Sequence, residues 1–244
     1  LDTATRVAGL LSMDVEAVNA CTDNSVEAAQ MVKEAGVTFR LLFDDAATAV
    51  LRALDDDEVG LAVVGTGQGR PVGRVARQVL TRSTKGVIVV PRHPLPWPAG
   101  EPIKMVVPLD GHETTAKALT RHLRAFIDHD AGVIGLHVFT ATNAPAYWDQ
   151  FHHDYPAWQH EFMRKCCLAP AAGLRVAHGP VAAAAVDLAL RERAMLIAVA
   201  WWQDLSPGHA RIVTDLLLTT PVPLLLVPAA IRRRPAGVLV GGPA

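Results

Sequence analysis

The residues best suited to chemistry fall in three places. The first is Asp110, which follows the apolar run Met105–Leu109 and precedes Gly111, His112 and Glu113. A carboxylate at the end of a strand can hold a ligand hydroxyl, and a carboxylate beside an imidazole can move a proton. The second is the glycine series Gly65, Gly67, Gly69 and Gly73, followed by Arg74. Glycines let backbone N–H groups approach a phosphate, a following helix N-terminus favours the anion, and an arginine adds a bidentate donor. A later stretch, AWWQDLSPGHAR (200–211), occupies the comparable place and ends in Ala210 and Arg211. The third holds His152, His153 and His160 near Cys166 and Cys167, with His153, His160 and Cys167 recurring every seven residues. Zinc needs three or four such ligands converging.

A plainer reading competes with each. Asp110 and Gly111 make a turn after a strand, and Glu113 to Thr115 start a helix with suitable charge and capping. The glycines around Gly65 serve a tight strand-to-helix turn. Trp148, Tyr155, Phe162 and Cys166 give the histidine segment an aromatic core face, and Pro156 interrupts it; no metal is expected there. Adjacent cysteines read as small buried hydrophobes. His178 ends a strand, but its counterpart in the repeat described below is Phe43, so no repeated chemistry follows, and no catalytic residue is expected. Arg232–Arg234 and Asp55–Glu58 read as solvated charge. Tyr147, Trp148, Phe151, Tyr155, Trp158 and Phe162 form an aromatic concentration, read as a flap buried over the sheet; an oligomer interface or ligand cover is the alternative.

Composition bounds what these residues can serve. The chain has 244 residues, half of them hydrophobic and 19% charged, with a formal net charge of −1. That is globular composition for one or two domains, with no basic excess for a nucleic-acid backbone. Three cysteines without a CxxC fit a reducing compartment. The longest uncharged apolar stretch, Leu216–Ile231, carries Pro221, Pro223 and Pro228 and falls short of the ~20 residues of a bilayer span. The chain opens LDTATRVAGLL, without a basic flank or an initiator Met, so the expectation is a cytoplasmic protein, with no membrane partner, given as a fragment.

Short apolar runs must position the candidate residues: Val37–Phe43, Leu61–Val64, Val87–Val90, Met105–Leu109, Leu196–Ala200 and Leu224–Val227, with weaker Val15–Ala20 and Val133–Phe139. Such runs read as strands buried on both faces. Helical segments Ser25–Ala35, Ala46–Asp55, Val72–Thr81, Thr114–Asp128, Val181–Arg193 and Ala210–Leu218 lie between them. The alternation predicts an α/β fold with parallel sheets. Arg92–Pro102, with four prolines in eleven residues, reads as a stiff linker. The two halves align with each other. Residues 36–65 lie on 171–200 at an offset of 135, residues 73–91 on 210–228 at 137, and the first twenty residues on 119–138 at 118. They are two diverged copies of one unit. The second holds about 17 extra residues within Thr140–Pro170, and the first has no counterpart of EPIKMVVPLDGHETTAKA, the opening strand and its loop.

VVPLDGHETTAKAL, LAVVGTGQGRPVGRVARQVLTRSTKGVIVVP and the repeated endings KGVIVVP and PVPLLLVP, duplicated and in order, resemble a tandem universal stress protein. The resemblance implies two Rossmann-like units, of the adenine-nucleotide alpha hydrolase-like kind, with parallel sheets of order 3-2-1-4-5. It also implies a pseudo-dimer through the last strands, joining Gly86–Val90 to Pro223–Val227. The units would be residues 1–91, incomplete, and 103–228, carrying the insert 140–170, with a linker at 92–102 and a tail at 229–244. Nucleotide-binding members place an aspartate after strand one and G-x2-G-x9-G-[ST] after strand four. Asp110 matches that aspartate, with Val138 on the next strand beside it. The loops depart from the pattern. Ala200 and Ala210 stand at the first and last glycine positions of the second unit, and Arg211 replaces Ser/Thr. Gly65 to Gly73 spans eight residues against the pattern's thirteen, and Arg74 again replaces the hydroxyl. The expectation is therefore a non-enzymatic stress-response regulatory module with degenerate nucleotide loops, forming a homodimer. The alternatives are a member binding ATP or AMP, with weak ATPase activity open, and an α/β nucleotide-dependent hydrolase or adenylating enzyme.

Overall fold

The computed structural model describes residues 1–20, 30, 32–34, 36–67, 71–98, 100–140, 151–166 and 173–229, without the side chains of 151–156 and 165. Gly69, Cys21, Cys167, Tyr147, Trp148, Arg232–Arg234 and most of the helix expected at Ser25–Ala35 lie outside the described residues, as do the side chains of Phe151, His152, His153 and Tyr155.

In chain order the elements are α1 (Asp2–Leu11), β1 (Glu16–Ala20), β2 (Thr38–Leu42), α2 (Ala46–Leu54), β3 (Leu61–Gly65), α3 (Arg74–Arg82), β4 (Gly86–Val90), β5 (Lys104–Pro108), α4 (Glu113–Asp128), β6 (Gly132–Phe139), α5 (Phe151–Cys166), β7 (Gly173–His178), α6 (Val181–Arg191), β8 (Leu196–Trp201), α7 (Arg211–Thr219) and β9 (Leu224–Pro228). The apolar runs become strands because both faces are covered. Ile88, Met105, Val106, Val107, Leu196, Ile197 and Leu224 are all fully buried.

Seven strands form one sheet in the order β3-β4-β9-β8-β5-β6-β7, and β1 pairs with β2 in a separate two-stranded sheet. Within the second unit the order of its five strands is 3-2-1-4-5, all parallel. The seam is antiparallel: Val87, Ile88 and Val89 face Leu226, Leu225 and Leu224. The pseudo-dimer is thus a continuous sheet, with Leu225 and Val87 buried to 1% on either side of the seam. The first unit keeps β1, β2, β3 and β4 but has no strand between β1 and β3 among the described residues, as the repeat offsets predict.

The repeat persists at the level of hydrogen bonds. Ser12 and Asp130, one offset of 118 apart, both adopt positive φ at a helix end (52° and 63°). Behind them Met13 N–H donates to Ala8 O (2.9 Å) and Ala131 N–H to Phe126 O (3.0 Å). At offset 137, Ser83 Oγ bonds Lys85 O (2.8 Å) and Lys85 N (3.1 Å), while Thr220 Oγ1 bonds Val222 O (2.9 Å) and Val222 N (3.0 Å). The same hydroxyl closes the turn before the last strand of each unit.

One expectation is corrected. α5 runs uninterrupted through Pro156; a proline in the second turn removes one intrahelical bond near the N-terminus, where several N–H groups lack an intrahelical partner anyway. The proline-rich connection packs against the second unit: Leu95 N–H donates to Pro221 O (2.9 Å), and Trp97 is 7% exposed in the core formed with α4. Among the described residues no helix is long and apolar enough to cross a membrane.

Candidate functional site

In open α/β sheets ligands bind outside the carboxyl ends of the strands. Because β4 and β9 are antiparallel, the carboxyl ends of the two units' strands lie at opposite ends of the sheet. Gly65–Arg74 and Asp110–Arg211 are therefore two separate places within one chain.

In the second unit, β5 delivers Asp110 to the mouth of the crevice. Its Oδ1 accepts from His112 N–H (2.8 Å) and from Thr115 Oγ1 (2.5 Å). Asp110 itself organises the start of α4, while the nominal cap, His112, makes no side-chain capping bond. Gly111 is required for two reasons. Its φ is +80°, and a Cβ there would stand 3.2 Å from Phe162 Cε2.

Phe162 belongs to an aromatic cluster over the carboxyl end of β5 and β6. Trp158 and Phe162 stack one helical turn apart on α5, ring centroids 5.0 Å apart. His137 on β6 lies 4.6 Å from Phe162 and 5.5 Å from Trp158, and Phe139 lies 4.7 Å from His137 edge-on. His137 is buried, with Nδ1 2.9 Å from Leu109 O. A carbonyl only accepts, so that nitrogen carries the proton. Burial lowers the His137 pKa, against smaller raising effects of the Leu109 bond and the Asp110 charge. Val138 points away from this cluster's strand face, buried in the main core beside Leu136, Ala182 and Val199. The aromatic insert is thus packed over the sheet through Trp158 and Phe162, with Cys166 1% exposed behind them. His160 is exposed.

The second unit's loop is built by Trp201, Trp202 and Gln203. Trp201 is buried at the end of β8, and Trp202 is 60% exposed. Ala210 caps α7 with φ 45°, and Arg211 begins the helix with its side chain 91% exposed, 3.9 Å from Asp215. Gln203, at φ 60° and 6% exposed, reaches across to the first unit. Its Nε2 donates to Leu80 O (3.0 Å) and Ser83 O (2.6 Å), the carbonyls at the end of α3. This residue was passed over in the sequence because a glutamine in a loop carries no periodicity. Only the fold brings the second unit's phosphate-loop position against the other unit's helix end.

In the first unit the described ends of the loop after β3 meet. Gly67 has φ +66°, a Cβ there would lie 3.8 Å from Gly73 Cα, and Gly73 N–H donates to Thr66 O (2.7 Å). Gly65 ends β3 opposite Val90, and Gly73 caps α3. Arg74, first in α3, is exposed. Asp45, the cap of α2, has its pKa lowered chiefly by the Thr48 hydroxyl, with Arg74 a minor contributor.

No protein-family model matches the sequence, and no curated protein matches it. Solved structures do match by fold. A functionally unknown protein from Pseudomonas aeruginosa PAO1 has TM-score 0.64 at 14% identity, covering 93% of this chain and 86% of that one. A protein from Pseudomonas aeruginosa UCBPP-PA14, provisionally assigned as a universal stress protein, has TM-score 0.65 at 14% identity over 93% and 87%. A universal stress protein from Archaeoglobus fulgidus DSM 4304 has TM-score 0.54 at 13% identity over 84% and 74%. With its sheet order, antiparallel seam and duplicated turn chemistry, the chain has the tandem fold of the universal stress proteins.

Proposed function

We propose that this chain is a non-enzymatic stress-response module of the universal-stress-protein kind, acting through its surfaces and not through nucleotide turnover. One observation carries the proposal. The crevice beyond β5 and β6 is occupied by the chain's own Trp158, Phe162 and His137, while Asp110 is bonded by its own loop. The replacement of the last glycine and the hydroxyl by Ala210 and Arg211 agrees with it. Asp110 is itself exposed, but a ligand extending from it over β6 would have to displace stacked aromatics, and each large side chain re-exposed costs about 1.5–3 kcal/mol.

The test is thermal unfolding with millimolar ATP or AMP, with and without Mg²⁺. A ligand at 100 times its Kd stabilises by about 2.7 kcal/mol, and each kcal/mol moves the Tm of a chain this size by about 2–4 °C. The expected shift is below 1 °C. A shift of several degrees that disappears in Asp110→Ala would instead establish the nucleotide-binding alternative.

A further inference from the structure

Four helices of this chain answer their own cations. Asp2 pairs with Arg6 on α1, Glu113 with Lys117 and Arg124 with Asp128 on α4, Asp187 with Arg191 on α6, and Arg211 stands 3.9 Å from Asp215 on α7. α3 does not. It carries Arg74, Arg77 and Arg82 and no acidic residue, and none of the three forms an ion pair among the described residues. Residues 71–98 as a whole hold five cations and no carboxylate. The opposite charge stands next to it. α2 packs against α3. Asp44 and Asp45 precede α2, Asp55, Asp56, Asp57 and Glu58 follow it, and the only cation among them is Arg52, which Asp44 holds at 2.6 Å. The fold does not demand this segregation, because the second unit lacks it. At offset 137 Gln78 becomes Asp215. At offset 135 Asp44 and Asp45 become Gly179 and Pro180, and Asp55–Glu58 becomes Leu190–Arg193.

We propose that α2 and α3 form a self-complementary surface on which a second copy of this chain docks, α2 of each copy against α3 of the other. The charges are matched end by end. β3 and β4 are parallel and in register, so the turns that lead into them lie at one end. There Lys85 Nζ bonds Asp56 O and Val59 O, which sets Arg82 at the same end as Asp55–Glu58. At the other end the Arg74 charge reaches Asp45. A two-fold axis parallel to the two helices lays each on the image of its neighbour and keeps like ends together. Asp44 and Asp45 of one copy then meet Arg74 of the other, and Asp57 and Glu58 meet Arg82, each twice. Arg74, Arg82 and five of the six carboxylates are exposed. Helices of nine residues are about 14 Å long, so the patch is small beside the ~800 Å² per partner of a stable interface. The dimer is therefore weak: opposite charges set its register and steer the encounter, and salt loosens it. It lies on the first unit and does not depend on what the Asp110 crevice binds.

The test is sedimentation equilibrium of the full chain from micromolar to millimolar concentration, in low salt and in about 1 M NaCl, where the Debye length falls to about 3 Å. Two variants are run beside it: Arg77→Glu with Arg82→Glu, and Asp57→Lys with Glu58→Lys, each checked for native far-UV dichroism. The parent is expected to dimerise in low salt at least tenfold more tightly than in high salt. Each variant alone is expected to self-associate at least tenfold more weakly than the parent. Mixed, the two variants are expected to form a one-to-one dimer, because each then offers the charge the other lacks; that recovery also shows that neither failed to fold. A parent that stays monomeric throughout overturns the proposal and leaves α3 to an acidic partner of another kind. So does a dimer that ignores salt, a dimer that either variant keeps, or a mixture of folded variants that does not pair.

Discussion

Gln203 offers the sharpest test of how the two units hold each other. Its amide nitrogen is the donor for Leu80 O and Ser83 O, in residues 1% and 2% exposed, and sequence separations of 123 and 120 make these the longest-range side-chain bonds described. Gln203→Ala removes both donors and gives the carbonyls nothing in return. A neutral hydrogen bond contributes about 1 kcal/mol net, and a buried acceptor left unmade costs about 1–3 kcal/mol. The expected loss is about 2–4 kcal/mol, on the order of 10 °C in Tm for a chain of this size. The backbone supplies an internal control. Gln203 sits at φ 60°, where a side chain costs about 1–2 kcal/mol and glycine costs nothing. Gln203→Gly is therefore expected to be about 1 kcal/mol less damaging than Gln203→Ala. Gln203→Glu, the same shape without the N–H, is expected to be at least as damaging as alanine at pH 8, where a carboxylate would face two carbonyl oxygens. Urea unfolding followed by tryptophan fluorescence and far-UV dichroism reads all three. If Gln203→Ala stays within about 0.5 kcal/mol of the parent, the bridging role is wrong.

Gly111→Ala is expected to cost about 1–3 kcal/mol, since it combines a positive φ with a contact on Phe162; a chemically denatured variant as stable as the parent would contradict the packing of α5 on this turn. The pH dependence has a definite sign. Burial holds the pKa of His137 and His122 below the ordinary 6.5, so just below that value the unfolded chain binds more protons than the folded one. Their contribution is complete above about pH 6.5 and is lost as pH falls through the lowered values. Tm should therefore fall between pH 7 and 5. His137→Asn, which keeps an N–H for Leu109 O but does not titrate, should flatten the slope, and an unchanged slope would rule out His137 as its source.

Much of the fold was legible because burial on both faces leaves a mark that survives divergence. Val87–Val90, Met105–Leu109 and Leu224–Val227 are continuous apolar runs for a physical reason, and they are β4, β5 and β9 within one residue at each end. β7 was legible only through the repeat. As the far strand of the sheet it has Gly173 and Arg175 exposed and Leu174 buried, so its own sequence reads as a mixture. The offsets alone pointed to the gap between β1 and β3, where no described residue forms a strand, because an alignment step counts residues and needs no contact. The character of the candidate site was less so. Asp110 was found from its place after a strand, but its bonds to His112 and Thr115 depend on loop geometry. Nor did spacing reveal that Trp158 and His137, 21 positions apart, meet over the crevice. Pro156 misled because position within a helix, not presence, decides what a proline costs.

The seam between β4 and β9 also orders events in time. Val87 and Leu226 are 139 residues apart in the chain, so closing that ladder pays the largest loop entropy of the strand pairings among the described residues. Residues 104–228 hold all five strands of the second unit in one contiguous stretch, so that half can assemble first. Its finished edge, Leu224–Val227, then serves as the template on which β4 and β3 are laid. Folding should accordingly show two phases, with the slower one abolished when the seam is blocked by a charge at Ile88.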